Sequence, residues 1–379
     1  MCEGVNVARK SSVTDRLLAA VLLTVVLVLA LLVCSCSTSQ PNSWTNLKPS
    51  GAQPSARYGA ALVYLSGSGK LIMFGGAADQ ENPLNDTWLY DRGANSWTNL
   101  KPSEDLPPGR RTMAAAYDPV TNEVVIFGGM GADGVMLNDI WTYDVTRNTW
   151  AKLTPASPPS VRFGSKLVYD PSSGKFVLFG GTYLRTNSKG YFQQDFNDIW
   201  TFDLAADTWT GLHPSGTAPD GSAATESPVY DEASGKMLVL QGLQPLPVSP
   251  PYVPPDKVNK DWYTFAYDPG ADSWASSSRP ASSPPISQNY ALAFDPAARR
   301  AILFGGSDPG RGTYGDTWAF DLATNGWTMT LAGGPDSPPG RVDSAMAHDA
   351  KTKTMILFGG RSADGENADV PNDTWEYVP

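Results

Sequence analysis

A hydrophobic run ending in paired glycines recurs along the chain. It reads LIMFGG (71–76), VVIFGG (124–129), FVLFGG (176–181), AILFGG (301–306) and MILFGG (355–360), with a degenerate copy, MLVLQG, at 237–242. With Gln241 counted for the missing glycine, first-glycine positions lie 53, 52, 61, 64 and 54 residues apart, which makes six repeats. A unit of this size cannot bury its own faces and must stack on its neighbours. Beyond the glycines each copy carries a segment such as NDTWLYD (85–91), NDIWTYD (138–144) or GDTWAFD (315–321). A further tryptophan follows: Trp97, Trp150, Trp209, Trp274 or Trp327. Upstream, an alternating run ends in an Asp turn, as in AAAYDPVTNEVV (114–125). Alternations and apolar runs bounded by Gly, Pro, Asn and Asp are strand and hairpin signals. Each repeat therefore supplies four antiparallel strands, A to D in chain order.

In this order, double glycine, Trp/Tyr-Asp and a trailing Trp resemble the Kelch family over essentially all of residues 42–379. The resemblance implies an all-β, six-bladed propeller with four-stranded antiparallel blades. Its residue types have physical reasons. Glycines at the end of strand B permit positive φ and close approach by the next blade. Tryptophans supply large buried area between thin blades, and only Trp262 of the twelve falls off the two repeat registers. The last repeat stops at NDTWEYVP (372–379), one strand short, while PNSWTNLKPS (41–50) nearly duplicates NSWTNLKPS (95–103). Trp44 thus marks a strand D that completes the sixth blade and closes the ring.

Strand alternation puts B–C and D–A loops on one face and A–B and C–D turns on the other. B–C loops hold 8, 8, 15, 19, 8 and 11 residues, so the insertions concentrate in blades three and four. Loop 182–196 carries Tyr183, Arg185, Tyr191 and Phe192; loop 243–261 carries Tyr252, Lys257 and six prolines, with Trp262 at its end. Aromatics beside positive charge are enriched in interfaces, and long loops are often functional. The alternative is that these loops pack on each other or cover the channel mouth. An arginine opens strand A in four blades, Arg57, Arg110, Arg162 and Arg341, with Ala223 and Ser287 in the others. These form a contiguous arc that could take a carboxylate or sulfate through bidentate pairing. Recurrence in register favours the other reading, that each satisfies backbone carbonyls or an Asp of the next blade. The Asn-Asp pairs (85–86, 138–139, 197–198, 372–373) recur in the same way and suit turns better than calcium.

Residues 1–36 read as a targeting segment and 37–41 as a short linker. Arg9, Lys10 and Arg16 precede an apolar run, Leu17 to Val33. A charged start followed by such a run suits a secretory signal or an uncleaved anchor. Leu32-Val33-Cys34-Ser35-Cys36 resembles the bacterial lipobox, with Cys36 as the lipidated residue. Every version places the propeller outside the cytoplasm, at the envelope or surface or secreted. No cysteine follows Cys36, so the domain is held by packing without disulfides. A net charge of −10 leaves no basic footprint for nucleic acid.

Kelch propellers are similar in fold to the galactose-oxidase group, whose copper-radical site requires histidine ligands and a Cys–Tyr cross-link. This domain has no cysteine, and its two histidines, His213 and His348, fall on opposite faces. Copper-radical chemistry is therefore excluded, and no cofactor is expected. Nucleophile-elbow, zinc-helix and phosphate-loop motifs are absent from the sequence. Three functions stay open: a monomeric surface module binding a protein or peptide, a glycan-binding or glycan-cleaving propeller, and an envelope scaffold.

Overall fold

A computed structural model describes residues 40–379, apart from 80, 104, 188–189, 220–225, 243–261, 277–281, 286–287, 309–311 and 363–367. Contacts divide the chain into Met1–Pro41 and Asn42–Pro379, and the second unit is described here. Its described residues form six four-stranded antiparallel sheets and two short two-stranded ones. The innermost strands A are Ala61–Leu65, Ala114–Asp118, Lys166–Asp170, Glu226–Asp231, Ala291–Asp295 and Ala345–Asp349. Each contacts the strand A of the blade before and after it, which closes a six-bladed ring. Blade four, the most divergent in sequence, keeps all four strands, at Glu226–Asp231, Lys236–Gly242, Trp262–Asp268 and Ser273–Ser276.

The ring closes as the split repeat requires. Ser43–Asn46 pairs with Thr374–Val378 as the outer strand of the sixth blade. Trp44 is buried between Tyr377 and Phe304, both at 5.1 Å, and its indole N–H donates to Thr317 Oγ1 at 2.8 Å. The same joint recurs between blades. Trp97 meets Phe358, Trp150 meets Phe74, Trp209 meets Phe127 and Trp274 meets Phe179, each pair bridging a strand D and the preceding blade's strand B. Trp97 and Trp150 also donate to Thr374 and Thr87 of the preceding blade. Blades two and three carry Ile140 and Ile199 at that position, and the indole N–H groups of Trp209 and Trp274 are buried without a partner.

A second set of bonds runs around the axis. Backbone N–H groups of Gly59, Thr112, Gly164 and Asp343 donate to the carbonyls of Asp343, Gly59, Thr112 and Asn289 at 2.7–2.9 Å. Each residue thus bonds to its equivalent one blade back, through five consecutive blades. All five take positive φ, between 51° and 72°, including β-branched Thr112. That conformation is unfavourable for threonine, so the surrounding ring holds it there.

Removing residues 42–50 deletes Trp44 and the edge pairing together, and leaves Tyr377 and Phe304 facing solvent. The truncated domain should lose its cooperative thermal transition; a melting point equal to that of the full chain would contradict closure by this strand.

Candidate functional site

The face formed by B–C and D–A loops is built on the repeated arginines. Arg57 donates to Asp86 through both terminal nitrogens, at 2.5 and 2.9 Å, to the Gly75 carbonyl at 2.9 Å and to the Ser55 carbonyl at 3.0 Å. Arg110 repeats the set on Asp139, Gly128 and Pro108; Arg162 on Asp198, Gly180 and Ser160; Arg341 on Asp373, Gly359 and Pro339. All four are buried. Each aspartate also accepts an indole N–H, from Trp88, Trp141, Trp200 or Trp375. Burial pushes the carboxyl pKa values of Asp86 and Asp139 up, but the facing Arg57 and Arg110 outweigh it and hold both below the usual range.

The reading of Arg57, Arg110, Arg162 and Arg341 as an arc open to an anionic ligand is therefore corrected. Their forks are closed on carboxylates, and the aspartate belongs to the same blade rather than the next. The Asn-Asp pairs are explained at the same time, since their aspartates are these partners.

What reaches the preceding blade is the arginine's carbonyl. Gly76, Gly129, Gly306 and Gly360 donate their N–H groups to the carbonyls of Arg110, Arg162, Arg341 and Arg57. A Cβ on the first glycine of the pair would come within 2.3 Å of the Arg57 carbonyl oxygen at Gly359, and within 2.5 Å of that of Arg341 at Gly305. These glycines are required by close approach as well as by positive φ.

Above this layer stands the blade-three insertion, and it is a hairpin rather than an irregular loop. Thr182–Asn187 pairs with Gly190–Asp195, placing Arg185 opposite Phe192 and Tyr183 opposite Gln194. Alternation along a strand then sets Tyr183, Arg185 and Phe192 on one face. The Tyr183 and Phe192 rings meet edge to face at 6.3 Å, and Phe192 is 52 % exposed. From the hairpin's edge the backbone of Leu184 donates its N–H to Met136 Sδ of blade two at 3.1 Å. At the base Thr182 donates to Asp195, and the Arg162 guanidinium lies 3.9 Å from the centre of the Phe196 ring. Blade two adds Val135, 57 % exposed, from its own B–C turn. The side chain of Tyr191, the loop 243–261 with Tyr252 and Lys257, and Cys36 lie outside the described residues.

Trp262 is the second correction. It is 1 % exposed and opens strand C of blade four, so it is no surface aromatic. Where other blades end strand B in Phe, blade four has Leu240, and Trp262 fills the gap against Trp327 at 5.1 Å and Tyr290 at 5.5 Å. Its indole N–H donates to the Pro284 carbonyl.

Three charged residues near the axis carry no repeat signal and were missed for that reason. Arg111 and Arg361 stack on Tyr58, at 5.7 and 4.8 Å from its ring centre. Lys166 stands on the innermost strand of blade three, and its charge interacts with Asp343 on blade six, across the ring. Surrounding protein pushes its pKa down while Asp343 opposes the shift. The side chain still reaches solvent, as one in an open channel does. Among the described residues no three of His, Cys, Asp and Glu converge in a way that could hold a metal ion.

Six blades linked by glycine, arginine and tryptophan joints define a Kelch-type propeller. The chain belongs to the KLHDC2/KLHL20/DRC7 Kelch-repeats domain family, whose model matches residues 31–242. It is 31 % identical over 176 residues to the putative adagio-like protein 2 of Oryza sativa subsp. japonica, covering 46 % of this chain and 26 % of the relative. It is 30 % identical over 208 residues to the human multiple epidermal growth factor-like domains protein 8, covering 53 % and 7 %. Against the host cell factor homolog hcf-1 of Caenorhabditis elegans the identity is 26 % over 203 residues, covering 51 % and 25 %. The chain thus spans about a quarter or less of the length of these relatives.

Trp262→Ala should lower unfolding free energy by about 3–5 kcal/mol, the usual cost of emptying a buried aromatic site. Denaturant titration checks this, and an unchanged midpoint would return Trp262 to the surface.

Proposed function

We propose that this propeller is a binding platform for a protein or peptide outside the cytoplasm, and that it meets its partner through the B–C/D–A face at blades two and three. One observation carries the reading. The hairpin Thr182–Asp195 presents Tyr183, Arg185 and half-exposed Phe192 on one face, beyond what the blade needs for its own core. Aromatic and arginine anchors of this kind dominate binding energy at protein interfaces. A hairpin also holds them in place, which lowers the entropy lost on association. Kelch repeats in otherwise different relatives fit a module used for contact. The basic, apolar and Cys36-containing N-terminal sequence supports an extracytoplasmic, membrane-anchored location.

The absence of cysteine after Cys36 allows one experiment to test face and location together. Phe192→Cys and Val120→Cys place single thiols on the B–C/D–A face and on the opposite A–B turn, where Val120 is 81 % exposed. A membrane-impermeant thiol-reactive cross-linker applied to intact cells should join the first variant, and not the second, to a discrete protein. Equal adducts at both positions would contradict the assigned face, and failure to label either thiol until cells are lysed would contradict the location.

A further inference from the structure

At the opposite end of the channel the next-to-last residue of each strand A forms a column: Tyr64, Tyr117, Tyr169, Tyr230, Phe294 and His348. The first five of these, with Glu232 and neighbouring prolines, line a cavity of roughly 340 Å³ open to solvent. No lysine or arginine is among the described residues that line it.

Three of the four phenol hydroxyls are directed into the wall. Tyr230 donates to Asp170 of the preceding blade at 2.5 Å and Tyr117 to Asn122 at 2.7 Å, while Tyr169 bonds to Asp118. Ring carbon is what remains for the cavity. A sugar or other neutral polyol needs free donors and acceptors, and the phenols of Tyr117, Tyr169 and Tyr230 have already committed their protons.

The charge around the cavity is negative. Burial, and then the neighbouring Asp118 and Asp170, push the Tyr169 and Tyr230 hydroxyls up to about 12. Burial alone would raise the Asp170 pKa, but bonds from Ser172, Tyr230 and Ser173 hold it below its usual value, so it is ionised at neutral pH. Glu232 is exposed at the rim. Arg299 is bound by Asp231 through two nitrogens, and the Lys351 stem runs beside Gly69 and Tyr64.

We propose that this mouth is a binding site for an organic cation, an alkylammonium group held against the rings of Tyr64, Tyr117, Tyr169, Tyr230 and Phe294 and paired with Glu232. Aromatic faces attract ammonium groups through their negative quadrupole, more strongly where water is partly excluded. The cavity volume lies within the range of small-ligand sites. The site is on the face opposite the blade-three hairpin and is independent of the protein-binding reading.

Calorimetric titration of the full chain with choline, and with its uncharged isostere 3,3-dimethylbutan-1-ol, tests it. Choline should bind saturably at one site, with the isostere roughly tenfold weaker. Phe294→Leu and Glu232→Gln should each weaken choline roughly three- to fivefold with the melting point unchanged; Glu232 is exposed, so its variant folds whatever Phe294→Leu does. Absence of saturable choline binding to the folded protein, equal affinity for the isostere, or indifference to Glu232→Gln would overturn the proposal.

Discussion

Four guanidinium groups, each closed on an aspartate and backed by a glycine carbonyl, fix how one blade meets the next. A blade is a twisted four-stranded sheet with two apolar faces, and burial alone would let neighbouring sheets slide. The arginine removes that freedom, because its side chain is tied within its own blade while its carbonyl accepts from the second glycine of the blade before. Burying an ion pair costs desolvation that its attraction roughly offsets. What the joint supplies is therefore register more than stability. The Asp–Trp bond extends the same network to strand C, so glycine, arginine, aspartate and tryptophan act as one unit.

Between the blades the apolar contacts vary around one theme, a strand-D tryptophan against a strand-B phenylalanine. Where the theme is broken the structure compensates. Leu240 leaves room, and Trp262 fills it from the neighbouring strand. Where Ile140 and Ile199 replace threonine, apolar burial is kept and an indole N–H is left without an acceptor. A buried unpaired donor is costly, so blades two and three give up polar satisfaction that blades one, five and six retain. Blade three also carries the hairpin, which rests on blade two through Leu184 and Met136.

Much of this was legible in the residues. The glycine period fixed blade number, and the duplicated SWTN segment fixed ring closure, because both are repeats and repeats survive divergence. The Arg–Asp pairs were half visible: both columns stood out, but their pairing within a blade depends on how far strand B carries the chain back. The hairpin was legible in principle, since TYLRTN and GYFQQD are β-rich runs around Asn-Ser-Lys-Gly, yet length alone had marked it as a loop. Trp262 was misplaced because blade four lacks the Asn-Asp pair from which loop ends were counted. The tyrosine column was visible as a register position, and only three dimensions turn it into the wall of a cavity.

Close approach of the arginine carbonyl, beyond positive φ, makes the glycine pair indispensable. Gly359 and Gly174 separate the two effects: their φ values are 61° and 67°, but a Cβ meets the Arg57 oxygen at 2.3 Å in the first and nothing within 4 Å in the second. Equilibrium unfolding of Gly359→Ala and Gly174→Ala should show about 1–2 kcal/mol lost at Gly174, the cost of left-handed backbone, and clearly more at Gly359. Equal losses would mean that the backbone angle alone explains the glycines, and would contradict the joint.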